Sequence, residues 1–271
     1  MTNYVDIHSH ILPMVDDGAS SAEETVRMLE QAYNEGIRTI IATPHCGIRN
    51  PEYDVREGER ICELLNNYLI KREEEPQNGD KPLTGLRVVL GNELIYSTGI
   101  ADDLRRGTVK TLAGSNYVLV EFYPGSDFAT LEACAREFSM YGYKPIYAHV
   151  ERYKCLQADY SKVEALKSCG VLMQVNCDSL LSAPEDSRSL TGKTLFNITR
   201  PLRPNASTQV SYRETAWDLL KNGMIEFIAS DAHGCKYRKP LMETALNNIR
   251  SYLGEEVADM LVTNAQNILN D

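Results

Sequence analysis

The chain has 271 residues, 43% hydrophobic and 24% charged, with a formal net charge of −10. This is globular composition, and the acidic balance excludes a broad phosphate-backbone grip, so nucleic acid is not an expected partner. Seven cysteines, odd in number and without a CxxC pair, exclude a zinc ribbon and argue against a disulfide scaffold. No apolar run approaches the roughly 18 residues that a membrane span needs. The first residues enter a charged, His-bearing strand rather than a secretion leader. The expectation is a cytoplasmic protein with reduced thiols and no membrane span, and an oligomer is compatible with it.

Along the chain, short apolar runs rich in β-branched residues alternate with helical patterns. The runs are Tyr4–Ile7, Arg38–Thr43, Leu86–Leu90, Tyr117–Phe122, Pro145–Ala148, Val171–Val175 and Ile225–Ala229, seven predicted strands in all. After the first, Ser20 or Ser21 with Glu23 or Glu24 reads as a capping box. It opens a helix carrying Val26, Leu29, Ala32 and Tyr33 at helical spacing and ending at Gly36. Further helices are predicted at 52–74, 127–141, 159–168, 212–222, 239–252 and 255–269. Strands separated by helices imply βαβ units and a parallel sheet. The length suits one barrel of about 250 residues. A turn region rich in Pro, Gly and Asn interrupts the pattern at Glu75–Gly85. A longer polar segment, Ser182–Ser211, carries Arg188, Lys193, Arg200 and Arg203. It follows the sixth predicted strand, so in a barrel it lies on the active-site face. The glycosylation-type triplets at Asn197 and Asn205 are taken as chance.

All five histidines, His8, His10, His45, His149 and His233, fall at or just past the C-terminal end of a predicted strand. The strand ends read "DIHSH", "ATPH", "AHVER" and "ASDAH". "LGNE" and "LVEF" add Glu93 and Glu121, and "DDG" places Asp16 and Asp17 after the first strand. A lone histidine at a strand end is usually structural. Strand C-termini of a barrel, however, converge on one face, where catalytic groups are placed. Imidazole and carboxylate together suit divalent Mn, Fe or Zn, and the lack of thiolate ligands leans away from structural zinc. In HxH on a strand both side chains point to one face. Arg152, after His149, and Arg238, after His233, have the planar fork that matches phosphate oxygens. Metals and arginines on one rim point to a phosphoester. The alternatives are sparse. "HCGIRNPE" has Glu52 where a Cys-x5-Arg phosphatase loop needs arginine, and no Gly-rich phosphate loop occurs.

The set "DIHSH…DDG", "TPH", "GNE", "LVEF", "AHVERY", "QVNCDSL" and "IASDAH" resembles the polymerase and histidinol phosphatase (PHP) superfamily. Within it, the set is most similar to the bacterial CpsB/YwqE-type tyrosine-protein phosphatases, nearly end to end. The resemblance implies an α/β fold, a distorted (β/α)7 TIM-like barrel, as a single PHP-type domain over residues 1–271. It implies up to three divalent metals, Mn foremost with Fe, Zn or Mg as alternatives. The metal ligands it implies are His8, His10, Asp17, His45, Glu93, Glu121, His149, Asp231 and His233, and Arg152 and Arg238 become phosphate-binding catalytic residues. Asp16 is then a neighbour that orients the loop or a nearby histidine. The implied activity is removal of phosphate from a phosphotyrosine protein by metal-activated water, the partner being a bacterial tyrosine kinase of capsule or exopolysaccharide control. The chain departs from the family in Ser182–Ser211, which is longer and more basic than expected. A small-metabolite phosphatase acting on a compound like histidinol phosphate is the rival. A metal-dependent amide hydrolase fits less well, because no strand end offers a lysine for carboxylation. A non-enzymatic phosphotyrosine binder fits poorly with so complete a ligand set.

Overall fold

The computed structural model describes residues 2–75, 81–157, 159–182 and 211–271. The polar segment 182–211, apart from its two end residues, lies outside the described residues, as do Asn197, Asn205 and the middle of the Glu75–Gly85 turn.

Strand β1 (Tyr4–Ser9) is followed by helix α1 (Ala22–Asn34), then β2 (Ile37–Ala42) and α2 (Val55–Glu74). Next come β3 (Arg87–Leu90), β4 (Glu93–Ile95), the short α3 (Ile100–Arg106), β5 (Tyr117–Glu121) and α4 (Phe128–Met140). β6 (Lys144–Tyr147) leads through α5 (Lys154–Gln157) and α6 (Ser161–Ser168) to β7 (Leu172–Asn176). The described chain ends with α7 (Tyr212–Lys221), β8 (Phe227–Ala229), α8 (Met242–Leu253) and α9 (Glu255–Asn267).

Every strand pairing is parallel, in the orders β1-β2-β3 and β4-β5-β6-β7-β8. Seven strands were expected and eight are found among the described residues. The extra one, β4, continues the course of β3 after a break at Gly91 and Asn92. β3 pairs with β2 and β4 with β5, so the two together occupy one position in the ring. Gly91 is required at the break, since a Cβ there would lie 2.9 Å from Leu112 and 3.1 Å from Ile41. Asn92 spans the gap: its Nδ2 donates to Pro44 O at 2.9 Å, and its Oδ1 accepts from Lys110 N at 2.8 Å. At the other seam, Asp231 N donates to His8 O and His10 N to Ala232 O, at 2.9 and 2.8 Å. The ring therefore closes across β8 and β1, as a barrel must to satisfy its strand edges.

Alternation along the strands builds two cores. Val5, Ile7, Ile41, Leu119, Ile146, Phe227 and Ala229 come from strands all round the ring and form one buried cluster with Leu112, Ala265 and Ile268. This is the filled barrel interior. The opposite faces, including Ile40, Ala42, Val118, Val120, Tyr147 and Met173, pack against apolar stripes of the helices such as Met28 and Leu29 of α1, Leu131 and Phe138 of α4 and Trp217 of α7. The first helix starts as expected, with the Ser21 hydroxyl accepting from Glu24 N at 3.2 Å. Glu24 does not return the bond to Ser21 but accepts from Ser20 N and Oγ. A reciprocal capping box occurs instead at Ser211 and Glu214, opening α7. α3 was not anticipated. It has seven residues between Gly99 and Gly107, both with positive φ, too few to show a period.

Candidate metal centre

The site is made by backbone irregularities at the strand ends. Along β1, Asp6 pairs with Ile40 but Ser9 with Ala42, so three residues face two. That count is a β-bulge, a device that re-aims side chains. It leaves His8 and His10 flanking Ser9 on the inward face, their Nε2 atoms 3.2 Å apart. The loop that follows is closed by Met14 N to Ala19 O at 2.7 Å and Ala19 N to His10 O at 3.1 Å. It is threaded so tightly that a Cβ on Gly18 would stand 2.0 Å from His10 O. That contact explains why "DDG" ends in glycine. Non-glycine residues with positive φ also gather here: Met14, His149, Asp231 and Arg238. Such backbone costs on the order of 1–3 kcal/mol per residue and persists where the surroundings demand it.

All nine metal-type side chains converge at this end of the barrel. Glu93 is central: its Oε1 lies 2.9 Å from His149 Nε2 and 3.2 Å from His8 Nε2, and its Oε2 lies 3.2 Å from His10 Nε2 and 3.1 Å from His45 Nδ1. Asp231 Oδ1 is 3.3 Å from His8 Nε2 and 3.5 Å from His233 Nδ1. Glu121 Oε1 lies 3.4 Å from His45 Nδ1. Asp17, half-exposed at the rim, puts Oδ1 3.4 Å from His45 Nε2 and 3.5 Å from His233 Nε2. Three overlapping groups have the spacing to hold an ion: His10, Asp17, His45 and His233; His8, His10 and Glu93; and His45, Glu93 and Glu121.

The donor chemistry fits cations. His10 Nδ1 faces Asp16 Oδ2 at 2.7 Å, His8 Nδ1 faces Gln174 Oε1 at 3.4 Å and His233 Nδ1 faces Asp231 O at 2.9 Å. With the Nδ1 proton turned to each of these oxygens, Nε2 of each ring is the atom turned to the cluster. The His8 and His10 Nε2 atoms, 3.2 Å apart and flanked by Glu93 and Asp231, form a place for shared positive charge, which a metal ion would supply. Buried atoms His45 Nδ1, His149 Nδ1 and Asp231 Oδ1 also lack any hydrogen-bond partner. Unsatisfied buried polar atoms of this kind call for a ligand.

The electrostatics agree. Burial alone would raise the Glu93 carboxyl, but the histidines around it hold it well below the usual range. Burial and the charge of Glu93 push Glu121 up to about 7. Burial disfavours a charged His10, yet Asp16 and Glu93 overcome it and raise the ring to about 10. Burial pushes His45 down to about 4. Glu93 is thus held as an anion by its histidines, and Glu121, beside that charge, is the carboxylate short of countercharge.

Arg152 and Arg238 meet on one oxygen. Arg152 Nη2 donates to Asp231 Oδ2 at 3.1 Å, and Arg238 Nη2 pairs with the same atom. Asn176 Nδ2 adds a third donor to it at 2.6 Å. A phosphoryl oxygen presents the same kind of anionic acceptor.

A profile for the family described as "Capsular polysaccharide synthesis, CpsB/CapC" matches residues 4–196 and 207–270. The chain belongs to the CpsB/CapC family. The tyrosine-protein phosphatase CpsB of Streptococcus agalactiae is 27% identical to this CpsB/CapC member over 98% of both chains. The tyrosine-protein phosphatase YwqE of Bacillus subtilis is 30% identical over 98% of this chain and 92% of its own. A solved structure from the pair YwqE of Bacillus subtilis and CpsB of Streptococcus pneumoniae, metal-dependent tyrosine phosphatases, superposes with a TM-score of 0.79. It is 29% identical and covers 98% of this chain and 94% of its own. An L-hydantoinase from Arthrobacter aurescens, at 15% identity and a TM-score of 0.50, covers all of this chain and 71% of its own, and shares the barrel architecture only.

Several residues of this CpsB/CapC site went unassigned in the sequence. Gln174 accepts from His149 N at 2.9 Å and donates to Asn176 Oδ1 at 2.9 Å, linking β7 to both histidine pairs. Both residues lie in the quoted "QVNCDSL", and their alternate spacing on a strand gave the clue. Glu151, fully buried, accepts from Asn176 N and Ser179 Oγ at 3.0 and 2.9 Å and so ties the turn carrying Arg152 to the end of β7. Arg49 reaches Glu121 with Nη1 at 2.9 and 3.1 Å. It stands in "HCGIRNPE", which drew attention only for the arginine it lacks.

Proposed function

We propose that this chain is a metal-dependent protein-tyrosine phosphatase that hydrolyses phosphotyrosine monoesters. The observation that carries the proposal is the pairing of Arg152 and Arg238 on Asp231 at the edge of three overlapping groups of metal-type ligands. His8, His10, Asp17, His45, Glu93, Glu121, His149, Asp231 and His233 would hold up to three divalent ions, with manganese the expected metal and iron, zinc or magnesium the alternatives. Ions bound there would supply Lewis acidity toward the phosphoryl oxygens and an acidified water as nucleophile.

The chain's own residues complete the machinery. Arg152 and Arg238 bind the phosphoryl oxygens and balance the charge that builds on them. Asp231 aims both guanidinium groups. Asp16 fixes the tautomer of His10 through Nδ1 and, by accepting from His45 N at 2.9 Å and Gly18 N at 3.0 Å, ties the two ligand loops together. Cys46, beside His45, does not serve as nucleophile: it is buried against Glu93 O, and burial pushes its thiol far above the ordinary value. Half-exposed Asp17 and Arg49 leave the site open to solvent, which favours a peptide-borne phosphotyrosine over a small enclosed metabolite.

We take the domain to span residues 1–271. The partner is a phosphotyrosine protein, which we assign as a bacterial tyrosine kinase of capsule or exopolysaccharide control, and we place this chain in the cytoplasm. The family description supports capsule synthesis as the context, and no helix among the described residues is long and apolar enough to cross a membrane.

The test compares wild type with His8→Ala on a phosphotyrosine peptide and on histidinol phosphate, with manganese added. Wild type should prefer the peptide, and His8→Ala should lose at least a hundredfold in rate. An unchanged rate in the variant, a preference for histidinol phosphate, or a trapped phosphocysteine would each overturn the proposal.

A further inference from the structure

The aryl half of a phosphotyrosine still needs a partner. A cavity of about 310 Å³ opens beside the ligand cluster, lined by Val15, Asp16, Asp17, His45, Arg49 and Asn50. That volume is at the lower end for small-molecule sites. Its walls come from the loops after β1 and β2. Arg152 and Arg238 are not among them, since they meet on Asp231 beyond β8.

Arg49 is the one cation among the described residues of the lining. Its Nη1 is anchored on Glu121, while Nη2 stands 3.8 Å from Asp17 Oδ2, beyond hydrogen-bond reach. Its side chain is 40% exposed. One edge of the guanidinium is therefore held by hydrogen bonds, the other is only loosely paired, and the part-exposed group borders the cavity. Asn50 Nδ2 donates to Val15 O at 2.8 Å and braces the apolar wall opposite. A planar cation held by one edge, next to an apolar wall, recognises an aromatic ring and offers little to an alkyl chain.

We infer that Arg49 is a specificity-determining residue for aryl phosphate esters: its guanidinium lies against the phenyl ring of phosphotyrosine while Arg152 and Arg238 take the phosphoryl group. This role presupposes the phosphatase activity proposed above. Wild type failing on every phosphomonoester would remove that activity, whereas the outcomes below concern Arg49 alone.

The experiment measures kcat/KM of metal-loaded wild type, Arg49→Met and Arg49→Lys on a phosphotyrosine peptide and on the matching phosphoserine peptide. Inhibition by inorganic phosphate and bound metal per chain are measured alongside. Arg49→Met should lose about fivefold to thirtyfold on phosphotyrosine, the range for a desolvated cation–aromatic contact, and less than about twofold on phosphoserine. Phosphate inhibition and metal content should stay within about twofold of wild type. If Arg49→Met loses metal because Glu121 is left unpaired, Arg49→Lys decides. It keeps the charge without the planar face, so it should retain metal and still lose the aryl preference. Equal losses on both peptides, weakened phosphate inhibition at full metal content, or an unchanged aryl preference in Arg49→Lys would each overturn the assignment.

Discussion

The two adjacent aspartates of "DDG" make a sharp test, because the fold separates their roles by a single peptide unit. Asp16 is buried and accepts three hydrogen bonds, from His10 Nδ1 at 2.7 Å, His45 N at 2.9 Å and Gly18 N at 3.0 Å. Asp17 accepts none of these and instead faces His45 Nε2 and His233 Nε2. In Asp16→Asn one carboxylate oxygen becomes an NH2 group, which must face a donor. One charge-assisted bond is lost, worth about 1.5–3 kcal/mol. His10 keeps its place but its Nε2 is less basic, and removal of such an orienting partner costs roughly 10–100-fold in metal affinity. Asp17→Asn removes a ligand from its group and should lower the number of ions held. The assay strips the metal with a chelator, titrates manganese by calorimetry, and follows phosphotyrosine-peptide hydrolysis at limiting and excess manganese. Asp16→Asn should recover most of its rate at excess metal, whereas Asp17→Asn should bind fewer ions and stay slow. If Asp16→Asn matches wild type at limiting metal, or recovers less than Asp17→Asn, the separation of roles is wrong.

Two further outcomes follow from the geometry. Gly18→Ala should weaken manganese binding and slow hydrolysis at least tenfold while the helical circular dichroism stays unchanged, since its Cβ would meet His10 O at 2.0 Å and displace the loop rather than the barrel; wild-type metal affinity in this variant would show that the loop tolerates a side chain. Asp127 caps α4, its Oδ1 accepting from Thr130 N and Oγ1 at 2.9 and 2.6 Å, and the bonds to Thr130 hold the carboxyl below its ordinary value. A carboxyl lowered on folding adds stability above its unfolded pKa and loses it as pH falls through the folded value. Asp127→Ala should therefore melt lower than wild type at pH 7, and the gap should narrow progressively as the pH is lowered below the ordinary carboxylate range; a gap in melting temperature that stays constant throughout that fall would assign the cap's contribution to something other than its charge.

Local physics made much of the fold legible in the sequence. Alternation of β-branched runs with amphipathic helices was enough for a parallel barrel, because a sheet buried on both faces needs apolar runs and its crossovers need helices. The break between β3 and β4 was not legible: nothing in "LGNE" shows that a side chain at Gly91 would crowd Leu112 and Ile41. α3 was too short for its period to register.

The site divides the same way. Residue type and position at strand ends marked the five histidines, Glu93, Glu121 and the two arginines, since convergence of strand C-termini is a property of the barrel itself; the family resemblance added Asp231 and singled out Asp17 from Asp16. Tertiary structure decided which groups face which. The bulge in β1 turns His8 and His10 inward, Gln174 and Asn176 link β7 to His149 and Asp231, and Asp16 rather than Asp17 bonds to His10. Arg49 shows the limit most clearly. In the sequence it is one basic residue in a polar loop. Only the packing of that loop over β5 brings it onto Glu121 and into the wall of a cavity. The sequence by itself determined the inventory of donors and the end of the barrel where they lie, because both follow from residue type and strand polarity. The distances that set proton sharing, countercharge and access depend on non-local packing, and these only the folded chain decided.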